Sequence, residues 1–386
     1  MATPKSESEL VELVKTRARG YLRLANVTSV GVGYRKVGGK VTDELSVQFT
    51  VDRKLAPEAV GAEGLTLLPE AIAAEDGTWV PVDVLERSFR PSYQIVEPRY
   101  AAAEDESGRA LRRQRLDPVR PGISIANVRG RAGTLGGIVF DATNGTPYLL
   151  SNWHVLHGPG GGIGDVIAQP GPYDDTNLIA NGVGRLVRSH LGMSGDCAVC
   201  SIVGRAVDHR ILELDVAPRR IANVSIGDRL VKSGRTTAVT RGVVSRVGVF
   251  VTVEYGGEVG EREIGGFEIQ PNPAALPSDG EISSGGDSGS LWMIDTDGAD
   301  ADVVAGLHFA GETDPAPSEE HAIACNIKNV LEKLRVSFTR PEPAGETAAR
   351  PHAGSRAGTG RTAAKAPARA RRAKQDRPSR SGRTQR

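Results

Sequence analysis

Aromatic side chains are scarce in this sequence: 7 Phe, 7 Tyr and 3 Trp make up 4% of its 386 residues. Hydrophobic residues still reach 39%, enough to bury a core, and the length suggests two or three domains. No run of about 18 apolar residues occurs, which excludes a membrane-spanning helix. The first twenty residues, MATPKSESELVELVKTRARG, carry scattered charges and no apolar stretch, against a secretory signal. Cysteine is nearly absent: Cys197, Cys200 and Cys325, an odd number, make no disulfide framework. A cytoplasmic protein is the expectation. What is abundant is glycine, 47 residues, and proline, 23, which suit short strands and tight turns better than a helical bundle.

The formal net charge of +1 conceals an asymmetry. Residues 340–386 hold 13 Lys and Arg against 3 Asp and Glu, a balance of +10, so the remainder stands at −9. From 337 to 386 almost nothing is apolar after Phe338. That segment cannot offset its chain entropy by burial, and a disordered basic tail is expected. Such a tail predicts weak, salt-sensitive binding to nucleic acid or acidic proteins, without aromatics for base stacking.

Along the chain, Leu10, Val11, Val14 and Leu22–Leu24 mark a helix over 1–20, with Ser6 or Ser8 as its cap. Alternating Val30, Val32, Tyr34 and then Leu45, Val47, Phe49, Val51 flank VGGK as a β-hairpin, and 78–86 reads as a third strand. These predict a small α+β domain over 1–100. Residues 101–121, polar and Arg-rich, read as a linker. Two consecutive series of about six short strands follow over 122–336. The first holds ISIANV, TLGGIVF, PYLLSN, DVIAQP, GVGRLVRS and DCAVCSI. The second holds DRLVKSG, AVTRGVVSRV, FVTVEY, EIGGFEIQ, GSLWMI and VVAGLHFAG. Thr143-Asn144-Gly145-Thr146 is the clearest hairpin turn, and Asn326 is placed to cap a closing helix. The class is mainly β, with two antiparallel barrels or sandwiches.

Three segments carry chemistry. Leu150-Ser151-Asn152-Trp153-His154-Val155 delivers a histidine after an apolar strand. Gly195-Asp196-Cys197 opens a strand with an aspartate. Gly285-Gly286-Asp287-Ser288-Gly289-Ser290-Leu291 is a glycine-rich turn entering another strand. A serine hydroxyl becomes nucleophilic only beside a base that an acid orients, and glycines let backbone N–H groups approach a developing oxyanion. The order His, Asp, Ser and the string GDSGSL resemble the trypsin/chymotrypsin-like serine peptidases, over about residues 119–336. Intervals of 42 residues from His154 to Asp196 and 92 to Ser288 fit that pattern. LSNWHV, GDVIAQPGPYDD and KSGRTT are similar to the intracellular bacterial and plant proteins of the Narrow Leaf 1 type. The resemblance implies a chymotrypsin-like double β-barrel, with Ser288 as nucleophile, His154 as base and Asp196 orienting it. The N–H groups of Gly286 and Ser288 would form the oxyanion hole, with Asp287 bracing the turn.

The same resemblance places Ile282, six residues before the serine, at the base of the specificity pocket. With no aspartate there, a preference for Lys or Arg is not expected. Gly306-Leu307-His308-Phe309-Ala310-Gly311 would form the pocket wall and pair with an extended substrate by strand addition, through Phe309, Ala310 and Gly311. GLHFAG resembles the GxHxxG segment of glutamate-specific and viral 3C-type peptidases, so His308 implies Glu, Gln or medium apolar residues before the cut. Arg120-Pro121-Gly122-Ile123 lacks an activation sequence, which predicts activity or regulation without cleavage there. The N-terminal segment is expected to gate the cleft or drive oligomerisation.

No metal or cofactor is expected. Cys197-x-x-Cys200 has no second pair and reads as buried small residues. The remaining histidines lack ligand spacing, and GPGGGIG at 158–164 lacks the GK[ST] ending of a phosphate loop. The expected partner is a protein or peptide substrate, with no membrane. Two rival classes are a catalytically silent binding module using the same cleft and a nucleic-acid-associated protein acting through its tail.

Overall fold

Capping and patterning act first at the N-terminus. In the structure, a computed structural model describing residues 5–87, 89–91, 111–296, 298, 300–312 and 320–342, helix α1 (Glu7–Thr16) begins at Ser6. The Ser6 hydroxyl and Glu9 form a reciprocal capping box, while Leu10, Leu13 and Val14 face inward. Strands β1 (Val27–Val37) and β2 (Lys40–Val51) make the expected hairpin. Its turn is Gly38-Gly39, both at positive φ, where a side chain would strain the backbone. After helix α2 (Pro57–Ala62) and strand β3 (Ala71–Ala73), strand β4 (Trp79–Glu86) runs parallel to β2. The two-residue strand β5 (Arg90–Pro91) ends this part.

The first barrel contains β6 (Ser124–Asn127), β7 (Gly133–Thr134), β8 (Gly137–Asp141), β9 (Pro147–Ser151), β10 (Val166–Ala168), β11 (Gly182–Gly192) and β12 (Gly195–Cys200). Their order is β8-β9-β12-β11-β10-β6-β7, and β7 runs on into β8, which closes the ring. Short helices α3 (Trp153–Leu156) and α4 (Leu178–Asn181) interrupt it. The second barrel contains β13 (Arg220–Ile221), β14 (Arg229–Gly234), β15 (Ala238–Glu254), β16 (Glu261–Pro271), β17 (Leu291–Ile294), β18 (Val303–Gly311) and β19 (Ala322–Asn326). Here the order β14-β17-β18-β19-β16-β15 closes because β15 also pairs with β14. Helix α5 (Ile327–Leu334) and strand β20 (Val336–Ser337) lead back to β8 of the first barrel. The chain is therefore mainly β, with the chymotrypsin-like double-barrel architecture.

Several expectations change. AVTRGVVSRV and FVTVEY are one strand, β15, whose first half pairs with β14 and whose second half pairs with β1. The expected separate N-terminal domain is thus continuous with the second barrel's sheet, and the described residues to Glu342 belong to one compact unit. The second half of the expected linker is packed, with Arg112 and Val119 fully buried; residues 101–110 lie outside the described residues. Ser337 and Phe338, expected to open the tail, are part of the fold, with Ser337 in β20 and Phe338 buried; residues 343–386 lie outside the described residues. Asn326 stands at the start of α5 but makes no side-chain cap bond.

A buried ionic cluster crosses the seam between β1 and β15. Glu268 on β16 accepts from Arg246 Nη1 at 2.9 Å, from Ser245 Oγ at 3.0 Å and from Arg87. Arg246 also donates to the Gln48 carbonyl at 2.7 Å and to Ser29 Oγ at 3.1 Å. Burial alone would raise the Glu268 carboxyl; the two guanidinium groups outweigh it and hold it at about 2. Removing one partner of such a group strands charge in the interior. Glu268→Gln should therefore cost about 3 kcal/mol. Calorimetry should show one transition at lower temperature, because hairpin and barrel unfold together; a separate low-temperature transition for the hairpin would contradict this.

Candidate active site

His154 arrives by a short strand and a turn of helix. β9 is apolar and buried at Leu149 and Leu150, and its pairing with β12 aligns Ser151 with Ala198. The chain then enters α3, so the histidine stands on a short helix just after the apolar strand. Asp196 opens β12 as expected and is fully buried. His154 Nδ1 donates to Asp196 Oδ2 at 2.5 Å, and the His154 backbone N–H donates to Oδ1 at 3.2 Å. Tyr255 adds its hydroxyl to Oδ2 at 2.7 Å, and Asn152 Nδ2 donates to the Asp196 carbonyl at 2.7 Å. The carboxylate is thus held on both oxygens, and the imidazole is fixed through one nitrogen. A cavity of about 130 Å³ opens beside it, lined by His154, Val155, His157, Arg129 and Tyr255.

Ser288 lies in a turn whose shape the glycines dictate. Asp287 N–H donates to the Ser284 carbonyl, Gly289 N–H to that of His308 and Ser290 N–H to that of Asp287. Gly286 has φ +102°, and a Cβ there would stand 2.5 Å from Thr236 Oγ1. Gly289 has φ +96°, and its Cβ would meet Ser151 Oγ at 2.1 Å and the Thr134 carbonyl at 2.2 Å. The first barrel grips this turn directly. Thr134 N–H donates to the Ser288 carbonyl at 2.7 Å, and Thr134 Oγ1 to that of Gly286 at 2.8 Å. At Gly133 an added Cβ would touch both Val155, next to His154, and the Ser288 carbonyl at 3.0 Å. The turn of Ser288 and the helix of His154 are thus separated by little more than one glycine. Ser288 Oγ donates a long bond, 3.4 Å, to the Phe309 carbonyl.

The string KSGRTT, noted in the sequence only for its resemblance, builds the socket of this turn. Asp287 is fully buried and receives five donors: Thr236 N at 2.8 Å, Thr237 N at 3.1 Å, Thr237 Oγ1 at 2.6 Å, Ser284 N at 3.1 Å and Lys232 Nζ at 3.2 Å. Gly234 makes room for it, since a Cβ would lie 2.3 Å from Asp287 Oδ1. Arg235 reaches Asp174 of the GDVIAQPGPYDD string, with Nε to Oδ2 at 3.0 Å, and its N–H donates to Thr134 Oγ1 at 2.9 Å. Burial alone would raise the Asp287 carboxyl; Lys232, the Thr237 hydroxyl and the Thr236 N–H hold it at about 2.

The expected pocket residues are all buried. The Ile282 N–H donates to Glu320 Oε1 at 3.0 Å, and the Ile282 carbonyl accepts from Thr240 Oγ1 at 2.7 Å. Burial and Glu281 push the Glu320 carboxyl well above its usual range. His308 is fully enclosed on β18, its ring edge-on to Trp292 at 6.3 Å between centroids, and Lys232 Nζ lies 5.7 Å from the Trp292 ring centre. Neither ring nitrogen has a partner among the described residues. Burial and Lys232 push its pKa down to about 3, so the ring is neutral. Ala310 and Gly311 pair with β19 on one side and β5 on the other. Cys197 and Cys200 are buried, and Asp196 N–H donates to Cys325 Sγ at 3.3 Å; among the described residues no cluster could hold a metal ion. No described helix is long and apolar enough to cross a membrane. Tyr255, Thr134, Lys232 and Asn152 were not legible as site residues in the sequence.

No family model matches the chain, and no curated protein matches it in sequence. Solved structures do. Thermobifida fusca Protease A aligns at 16% identity and a TM-score of 0.41, covering 57% of this chain and 98% of its own. Nocardiopsis Protease gives 16%, 0.40, 57% and 98% in the same order. A glutamic acid specific serine protease described as using a histidine triad in substrate binding gives 21%, 0.39, 56% and 98%. At this level of likeness the chemistry is read from the residues themselves.

Lys232→Met would leave Asp287 buried without its cation, loosening the turn that presents Gly286 and Ser288. Turnover of a peptide substrate should fall by about 100-fold, the typical loss for one oxyanion donor. The Lys232→Met, Asp287→Asn double variant should recover thermal stability relative to Lys232→Met. The pH sign follows from Asp287: its native value lies below its ordinary 3.8, so its stabilisation is complete above 3.8 and is lost as pH falls through about 2. Acid titration of unfolding should show that loss in wild type and not in the double variant.

Proposed function

We propose that the chain is a serine endopeptidase. The observation that carries the reading is the buried His154–Asp196 bond at 2.5 Å beside the glycine-shaped turn of Ser288. Ser288 Oγ exchanges its long bond to Phe309 for one to His154 as substrate arrives. The oxygen attacks the peptide carbonyl carbon while His154 Nε2 takes its proton. Asp196 stabilises the imidazolium, and Gly286 and Ser288 N–H groups receive the oxyanion. Collapse breaks the C–N bond, and the proton passes from His154 to the leaving amine. Water then attacks the acyl-enzyme by the same route in reverse.

Lys232 supplies a cation to Asp287 from within the fold. This supports a turn that forms without release of a new N-terminus, as the sequence of Arg120–Ile123 suggested. For specificity, we propose a preference for Glu or Gln before the cut, with medium apolar residues next. A buried neutral imidazole without a partner is costly, and a substrate carboxylate or amide oxygen would accept its N–H.

A fluorophosphonate probe tests the enzyme directly. Wild type should label, and Ser288→Ala should not; an unlabelled wild type favours the silent binding module. Peptide-library profiling tests the pocket: His308→Ala should lower the Glu and Gln preference by about tenfold, or about 1.4 kcal/mol, and an unchanged profile would refute the assignment. The nucleic-acid reading predicts retention on DNA at low salt that disappears when residues 343–386 are removed.

A further inference from the structure

Strand β18 has two edges, and their occupants change along its length. At Gly306 and Leu307 one edge pairs with β19 and the other with β17. At Ala310 and Gly311 β19 still holds the first edge, so β5 must hold the edge that β17 has left. Between β17 and β5 on that edge stands the serine turn, bonded through Gly289 N–H to the His308 carbonyl and His308 N–H to the Ser290 carbonyl. Pro91 lies opposite Ala310 and Arg90 opposite Gly311, antiparallel. Phe309, the neighbour of Ala310, is the residue whose carbonyl accepts from Ser288 Oγ. This is the edge on which an extended peptide would have to dock to bring a carbonyl to Ser288.

We propose that the chain's own Phe89–Pro91 segment is a tethered occupant of the substrate strand site, an internal competitor that must leave before a peptide can be cut; the proposal rests on the peptidase reading above. The tether is built in. Arg87 follows β4, donates to Glu268 on β16 and has its carbonyl bonded by Thr28 Oγ1 at 2.8 Å. Phe89 is buried with its ring edge-on to His321 at 5.1 Å, just before β19. Both anchors hold β5 at high effective concentration against β18. A two-residue pairing contributes few backbone bonds, and Pro91 has no N–H to donate. The segment is therefore fixed by its flanks and weak at its contact, as a displaceable competitor requires. A substrate must bind in competition, and its apparent affinity falls by the fraction of molecules in which the edge is vacant.

Two probes separate the proposal from the reading beneath it. A small alkyl fluorophosphonate needs Ser288 but not the strand edge. Tripeptidyl diphenyl phosphonates ending in Glu or Leu need both. In the full chain, Phe89→Ala combined with Arg90→Pro should react with a tripeptidyl probe about tenfold faster than wild type, while the alkyl probe reacts at a similar rate in both. Equal tripeptidyl rates would overturn the tethered occupant. Absence of alkyl labelling in wild type would instead overturn the peptidase. If the double variant alone loses alkyl labelling, hydrogen exchange on wild type decides: the Arg90 amide should lose protection once the tripeptidyl probe is bound, and retained protection overturns the proposal.

Discussion

One buried carboxylate, Asp287, governs the candidate site. An ionised carboxyl in an apolar interior is tolerated only when its oxygens are bonded and its charge is met. Here both conditions are satisfied by one loop, Lys232 to Thr237, together with Ser284 of its own turn. Satisfying Asp287 therefore fixes the distance between the KSGRTT loop and the GDSGS turn. Gly234 must lack a side chain for the carboxylate to fit, and Gly286 must lack one to clear Thr236. Burial keeps the His308 ring neutral, with Lys232 adding to it and Asp287 opposing. Charge balance and turn shape follow from one interaction.

Much of this was legible in the sequence, and the reason is local. Each strand of a closed barrel carries its inward residues at period two, so the apolar runs of β8, β9, β12 and β18 mark themselves. The hairpin turn at Gly145, with φ +70°, follows from residue chemistry alone. His154, Asp196 and Ser288 could be picked out by motif and order because each lies in a short distinctive string. What stayed hidden depends on pairing between distant segments. Nothing within FVTVEY says that Tyr255 will reach Asp196, 59 positions away, and nothing within VTSVGVGY says that β1 will continue the sheet of β15. Arg112 reads as one charge in a solvated run. Yet its Nη1 lies on the Gly122 and Gly234 carbonyls at 2.9 and 3.0 Å, an environment no local pattern reveals.

The N-terminal hairpin shows how a sheet edge can be put to use. A six-stranded barrel closed by β14 and β15 leaves the second half of β15 unpaired on one side, because β15 is 17 residues long and β14 only six. An exposed edge of that kind invites association with other chains. Here β1 covers it, and the Arg246–Glu268 cluster fixes the register by bonding the Gln48 carbonyl and Ser29 from the same side chain. The cluster is polar at a place where apolar residues would bury equally well. Its directional bonds distinguish one register from a slipped one, which a uniform apolar seam does not.

The anchoring of β1 has a consequence at the other end of the same sheet. With β1, β2 and β4 fixed to β15, the chain leaving β4 at Glu86 has only Arg87 to Phe89 in which to reach β18, and it arrives beside the serine turn. Strand β18 then carries three duties on adjacent residues: His308 bonds the turn, the Phe309 carbonyl receives the Ser288 hydroxyl, and Ala310 and Gly311 accept an antiparallel strand. Because these positions share one backbone, any strand that pairs with Ala310 and Gly311 is registered against Ser288 through a single rigid element rather than through a loop. Under the proposed peptidase reading, that arrangement would align a substrate with Ser288, and by the same geometry the chain's own β5 would stand in its way.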